Sequence, residues 1–152
     1  MSSPNSTAIT SITSIVARIA TAPDDDDYAT AKGSNMVFLG AAGREFRANR
    51  DDINTFEPES DNEYIFGEGA NVNYPEQNDL RSTNLTLEHL NRHDVYIRYQ
   101  TGNDSNESWR VERVDVTVTA ANGSPVSYGV LAGRYKQWLG NEVGLKLSLN
   151  RR

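Results

Sequence analysis

VYIRYQTGNDSNESWRVERVDVTVT, from Val95 to Thr119, is the stretch whose reading decides the fold. Its flanks, Val95–Gln100 and Trp109–Thr119, are rich in Val, Ile, Tyr, Trp and Thr, which fit a pleated, half-buried surface. Between them Gly102, Asn103, Asp104, Ser105 and Asn106 carry turn chemistry. Two such runs joined by a polar loop make an antiparallel hairpin. The second run changes phase. Trp109 and Val111 are apolar at odd positions, whereas Val114, Val116 and Val118 are apolar at even ones. A pleated strand cannot present both sets to one face unless a residue is inserted. The pattern therefore predicts a β-bulge or sharp bend near Glu112-Arg113.

Outward from this hairpin the chain reads as more strands. Ile15, Ala17 and Ile19 alternate with polar or small residues and predict a first strand that ends near Thr21, before Pro23. Met36–Leu39 is a short buried run, Gly40 and Gly43 bracket a turn, and Arg44–Ala48 is extended again. Glu63–Phe66 makes another strand. Leu85 and Leu87 read as strand, followed by a turn through Asn91, Arg92 and His93. Asn122-Gly123 marks a tight turn. Val126–Leu131 and Arg134–Leu139 follow it. Val143, Leu145, Leu147 and Leu149 alternate with Gly144, Lys146 and Ser148, which predicts a half-buried last strand. Residues 1–11 are small and polar and read as a flexible N-terminal segment; residues 12–152 read as a single domain.

Composition narrows the function classes. The net charge of −6 argues against broad binding to nucleic acid. It also argues against adsorption to anionic lipid by overall charge. With no cysteine, the chain has neither a disulfide framework nor a thiolate site. No segment is long and apolar enough to span a membrane. The N-terminus lacks the basic and apolar regions of a signal peptide.

The residues give little support to catalysis. His89 and His93 are four apart, a metal spacing on a helix, but no HExxH is present. We read them as surface histidines at an inter-strand turn. No serine sits in an elbow motif and no phosphate loop occurs. The chain therefore reads as a non-enzyme. Calcium is the metal its residue types allow, because that ion takes hard oxygen ligands from irregular loops. Asp24, Asp25, Asp26 and Asp27 form one such loop, Asp51 and Asp52 a second, and Asp104 with Glu107 a third. The candidates for lipid or partner contact are Tyr28 and Tyr74 in loops, the basic stretch Arg44, Arg47 and Arg50, and Trp138 beside a turn. Trp109 reads as core.

The hairpin, with its aromatic strand, polar loop and W-R-V-E-R-V-D-V strand from Trp109 to Val116, resembles the central hairpin of PLAT (LH2) domains. NMVFLG (Asn35–Gly40) with GREF (Gly43–Phe46), FEPESDNEYIFG (Phe56–Gly67) and Trp138-Leu139 resemble further segments of that family in the same order. The resemblance covers most of the chain from about Ile12 onward. It implies an all-β, antiparallel eight-stranded β-sandwich with two sheets packed face to face. It also implies a recognition module that docks onto a membrane surface or a protein partner, often with calcium bound by loops at one end. The family commonly has G-T-D before its second strand; this chain has Gly33-Ser34-Asn35 there, with the Asp24–Asp27 loop close by. Two other classes stay open at this point: a structural or assembly subunit of a larger particle, and a carbohydrate-binding β-sandwich.

Overall fold

A computed structural model describes residues 11–22, 36–50, 59–73, 80, 85–100, 109–123, 125–131, 137–139 and 144–152. Its strands in chain order are β1 (Ile12–Thr21), β2 (Met36–Ala41), β3 (Arg44–Arg47), β4 (Asp61–Gly67), β5 (Tyr96–Gln100), β6 (Trp109–Ala120), β7 (Pro125–Val130), β8 (Gln137–Leu139), β9 (Lys146–Ser148) and β10 (Asn150–Arg151). One short helix, α1 (Leu87–Arg92), precedes β5. Every strand pair is antiparallel, as expected. The larger sheet runs β10-β7-β6-β1-β4, with β8 also paired to β6; the smaller runs β3-β2-β5-β9.

The predicted hairpin strands are β5 and β6, but they belong to different sheets. The two strands therefore do not form a hairpin. The predicted bulge is present. Ala20 pairs with Arg113 and Thr21 with Val111, so Glu112 is the inserted residue. Because of it, Trp109, Val111, Val114, Val116 and Val118 all face inward and are fully buried. Beside them in the same sheet β1 contributes Ile15, Ala17 and Ile19 and β4 contributes Tyr64 and Phe66; opposite, the smaller sheet contributes Val37, Leu39, Phe46, Ile97 and Tyr99. Tilted ring pairs cross the core: Phe46 with Phe66 at 5.5 Å and Tyr99 with Trp109 at 5.9 Å between centroids. Each such side chain contributes roughly 1.5–3 kcal/mol by leaving water.

Three expectations need correction. The expected eight strands become a sheet of six and a sheet of four among the described residues. The extra ones are short and come partly from the last segment, which is not one strand. β9 pairs with β5 in the smaller sheet and β10 with β7 in the larger, so the chain changes sheets at Leu149. Leu149 is buried at that crossing and Leu147 partly so, but Leu145 is 38% exposed and does not share the core face. Val143 lies outside the described residues. Finally, Leu85 and Leu87 do not form a strand. Leu85 O accepts from Ile12 N at 2.8 Å and Thr86 bridges to Ser11, but from Leu87 the chain turns helical. Thr86 is the N-cap: its Oγ1 accepts from His89 N, and His89 Nδ1 accepts from Thr86 N at 3.1 Å. That reciprocal capping box satisfies two otherwise orphaned backbone donors and starts a helix too short to announce itself by periodicity.

Candidate functional site

Three connections leave one end of the sandwich side by side. In the larger sheet, Ala22 N donates to Arg110 O at 3.0 Å, Glu59 N to Ala22 O at 3.3 Å and Thr21 N to Ser60 O at 2.9 Å. In the smaller sheet, Met36 pairs with Gln100, and Ala48 N donates to Val37 O at 2.9 Å. Residues 23–35 therefore join Ala22 to Met36, residues 51–58 join Arg50 to Glu59, and residues 101–108 join Gln100 to Trp109. The anchors of all three lie at the same end, within backbone hydrogen-bond reach of one another in each sheet. Asp24, Asp25, Asp26, Asp27 and Tyr28 belong to the first connection, Asp51 and Asp52 to the second, and Asp104 and Glu107 to the third. All of them lie outside the described residues, as does Tyr74.

The described rim of that end is polar. A cleft of about 270 Å³ is lined by Ala20, Glu59, Ser60, Asp61, Glu112 and Arg113. The bulge that keeps Trp109 inside also puts Glu112 here. Asp61 is already engaged: Arg18 Nε reaches its Oδ1 at 2.9 Å and Arg113 Nη2 its Oδ2 at 3.0 Å. The ladder continues across the sheet. Arg113 Nε lies 3.3 Å from Asp115 Oδ2, an ion-pair contact without hydrogen-bond geometry, and Arg152 Nη1 lies 3.2 Å from Asp115 Oδ1. Asp61 holds the Arg18 guanidinium above its ordinary range, first through the hydrogen bond and then through charge. Among the described residues no group of three or more His, Asp or Glu side chains is arranged to hold a metal ion. The rim by itself is thus not a calcium cage.

The three arginines grouped by sequence are placed apart. Arg44 packs its guanidinium 5.1 Å from the Phe46 ring centroid. Arg50 Nη1 donates to Glu63 O at 3.0 Å, on β4 at the margin of its sheet. There it joins Asn71, whose side chain accepts from Ile65 N at 2.8 Å and donates to Glu63 O at 3.2 Å. These bonds occupy backbone groups of β4 that a foreign strand would otherwise use. Of the three, Arg47 is the exposed one, on the outer face of the smaller sheet. Trp138 pairs through its backbone with Arg110; its side chain is outside the description. The histidines do separate structural work: His89 caps α1, and the His93 ring lies against Gly43. Gly43 has φ +82°, and a Cβ there would stand 2.9 Å from His93 Nε2, so the position suits glycine on both counts.

Sequence reading missed what register brings beside Arg47. Arg47 pairs with Phe38, Phe38 with Arg98, and Arg98 with Lys146, one row across all four strands. Arg98 lies over the Phe38 ring, 4.3 Å from its centroid, and Lys146 Nζ lies 4.0 Å from the Tyr96 ring centroid. Glu45 holds the arrangement. Its carboxylate accepts from Arg98 Nε at 2.8 Å, from Arg98 Nη2 at 2.9 Å and from Tyr96 Oη at 2.8 Å. The hydrogen bonding from Arg98, against a partial burial cost and with help from Tyr96, holds the Glu45 carboxyl below the usual carboxylate range. The Tyr96 ring covers Gly40 so closely that no Cβ fits there. The only sequence signal for this row was the alternation of Tyr96, Arg98 and Gln100 with buried Ile97 and Tyr99.

The chain matches no family model and no curated protein. Its structure is similar to that of Clostridium perfringens alpha-toxin from avian strain SWCP, with TM-score 0.53 and 16% identity, over 95% of this chain and 32% of the toxin. It is also similar to the alpha toxin of Clostridium absonum, with TM-score 0.52 and 14% identity, over 90% of this chain and 31% of that one. A coral 8R-lipoxygenase, described by its calcium activation via a C2-like domain, aligns with TM-score 0.49 and 14% identity over 91% of this chain and 17% of its own. This chain thus spans a third or less of each of these proteins. At these identities the likeness concerns fold alone, and the fold is a PLAT/LH2-like β-sandwich.

Proposed function

We propose that the chain is a non-catalytic recognition module that docks through one end of the sandwich onto a membrane surface, assisted by calcium. The observation that carries this reading is the convergence of anchors. Separate stretches bearing Asp24–Asp27, Asp51/Asp52 and Asp104/Glu107 all leave from the end where Ala22, Glu59 and Arg110 are hydrogen-bonded together. Calcium takes six to eight oxygen ligands in flexible geometry, which neighbouring irregular loops can supply and a single strand cannot. An acidic module is repelled by an anionic bilayer; a divalent cation held at its tip reverses the local charge and shares lipid phosphate. A protein partner with phosphate or carboxylate groups is the alternative occupant of the same end. The test is co-sedimentation with phosphatidylserine-containing vesicles in millimolar calcium and in chelator. Calcium-dependent pelleting supports membrane docking; none in either condition leaves the protein partner.

A further inference from the structure

We propose that α1 and its cap form an acid-sensitive latch: a proton taken up by the His89 ring unties Thr86 and releases residues 85–92 from the sandwich. Neither calcium nor the acidic connections take part. The latch sits at the start of β1, about 30 Å along that strand from Thr21.

Leu85 and Thr86 attach this segment to the sheet. Ile12 N donates to Leu85 O at 2.8 Å, and Thr86 bridges to Ser11. Behind them Leu85 and Leu90 are buried in the core. Thr86 N donates to His89 Nδ1 at 3.1 Å. A backbone N–H can only donate, so Nδ1 is the acceptor and the neutral ring carries its proton on Nε2. A capping box ordinarily has Glu or Gln at this position. Gln accepts in acid as well as at neutral pH, whereas histidine is the residue type that changes charge between about pH 5 and 8. A second proton on this ring has only Nδ1 to occupy. It turns the acceptor into a donor, and two donors then face each other. The cap is thus intact with the neutral ring and is lost as pH falls.

The charged ring keeps one option, because Nδ1 also lies 3.1 Å from Thr86 Oγ1 and could donate there. Thr86 N–H would still lose its acceptor, in a residue that is buried. An unsatisfied buried donor destabilises the segment that carries it. The surroundings do not offset this. On the helix Glu88 is paired with Arg92, and Arg151 of β10 is bonded to Asn91. His93 and Asp94, both exposed, follow on the connection to β5, and the start of β1 brings only the uncharged Ser11, Ile12 and Thr13. Among the described residues the polar contacts of the His89 ring are with Thr86, so no carboxylate holds its charge in place.

The experiment is amide hydrogen exchange of the intact protein, read over residues 85–92 at about pH 8 and about pH 5, either side of the histidine range, and corrected for intrinsic rates. Opening of this stretch relative to β6 should rise at least about fivefold in acid, the ratio that a typical cap contributes. His89→Gln keeps an acceptor that does not titrate and should lose the acid response. His93→Gln should respond as the wild type does. Equal protection of the wild type at the two pH values, or the same acid response in His89→Gln, overturns the proposal. Where His89→Gln is already open at the higher pH, the Thr86 amide resonance of the wild type decides. It should move together with the His89 ring as that ring takes up its proton; a Thr86 amide that stays in place overturns the proposal as well.

Discussion

Trp109 Nε1 donates a 2.9 Å hydrogen bond to Thr21 Oγ1, and both residues are wholly inaccessible to solvent. The bond ties the start of β6 to the end of β1, next to the point where Glu112 is inserted. It answers the question that any buried tryptophan raises, where its N–H goes. It also sits directly under the end of the sandwich from which the acidic connections leave.

Trp109→Ala should therefore cost about 3–5 kcal/mol, the range for removing a large aromatic side chain from a packed core. Thr21→Val keeps the shape but strands the indole N–H, and should cost about 1–3 kcal/mol. Urea unfolding checks both. A midpoint for Trp109→Ala within error of the wild type would contradict the burial.

The final segment should show a graded response. Leu149→Asp places a carboxylate at the buried crossing between sheets and should prevent folding. Leu147→Asp, partly buried, should be strongly destabilising but less so. Leu145→Asp should change stability by less than about 0.5 kcal/mol, as for surface substitutions generally. Equal damage from Leu145→Asp and Leu147→Asp would mean that both share the core face.

The Glu45–Arg98 pair should give stability that depends on pH. The carboxyl of Glu45 is held below its ordinary range in the folded protein. Its contribution is therefore full above the unfolded value of about 4.3 and is lost as pH falls through the lower folded value. Both side chains are about one-third exposed, so the pair contributes no more than about 1 kcal/mol. Glu45→Gln should lower the thermal midpoint at pH 7 and converge with the wild type in acid. A constant difference at all pH values would show that the loss is packing, not charge.

The helix cap offers a local test. Thr86→Ala should cost about 1 kcal/mol. His89→Ala, which removes the reciprocal acceptor, should cost less, and neither variant should change metal content. Stoichiometric zinc in the purified protein, lost on replacing His89 and His93, would require a different account of both histidines.

The core was legible because it obeys local rules. The phase change between Val111 and Val114 located the bulge at Glu112, and alternation in Ile15, Ala17 and Ile19 located β1. Leu85 and Leu87 misled because their alternation mimics a strand, while the deciding signal was the Thr86–His89 capping box, with histidine in place of the usual Glu or Gln. The last segment misled because alternation fixes a face but not a sheet, and Leu149 is where the chain passes from one sheet to the other. Of the row through Arg47, Phe38, Arg98 and Lys146, only the alternation within Tyr96–Gln100 was legible. The row itself depends on the order β3-β2-β5-β9, in which residues from four separate stretches become neighbours. The acidic residues expected in loops lie outside the described residues; what the structure adds is that Ala22, Glu59 and Arg110, which flank their segments, are hydrogen-bonded together.

The central claim is that acids from those loops hold calcium at that end, and a thermal melt tests it most directly. Calcium that binds the folded state should raise the midpoint; at one hundred times its Kd the gain is about 2.7 kcal/mol. Changing Asp25, Asp26 and Asp27 together to Asn should remove most of that gain. Melts in millimolar calcium and in chelator should therefore differ for the wild type and nearly coincide for the variant. Identical melts for the wild type in the two conditions would contradict the calcium-assisted account.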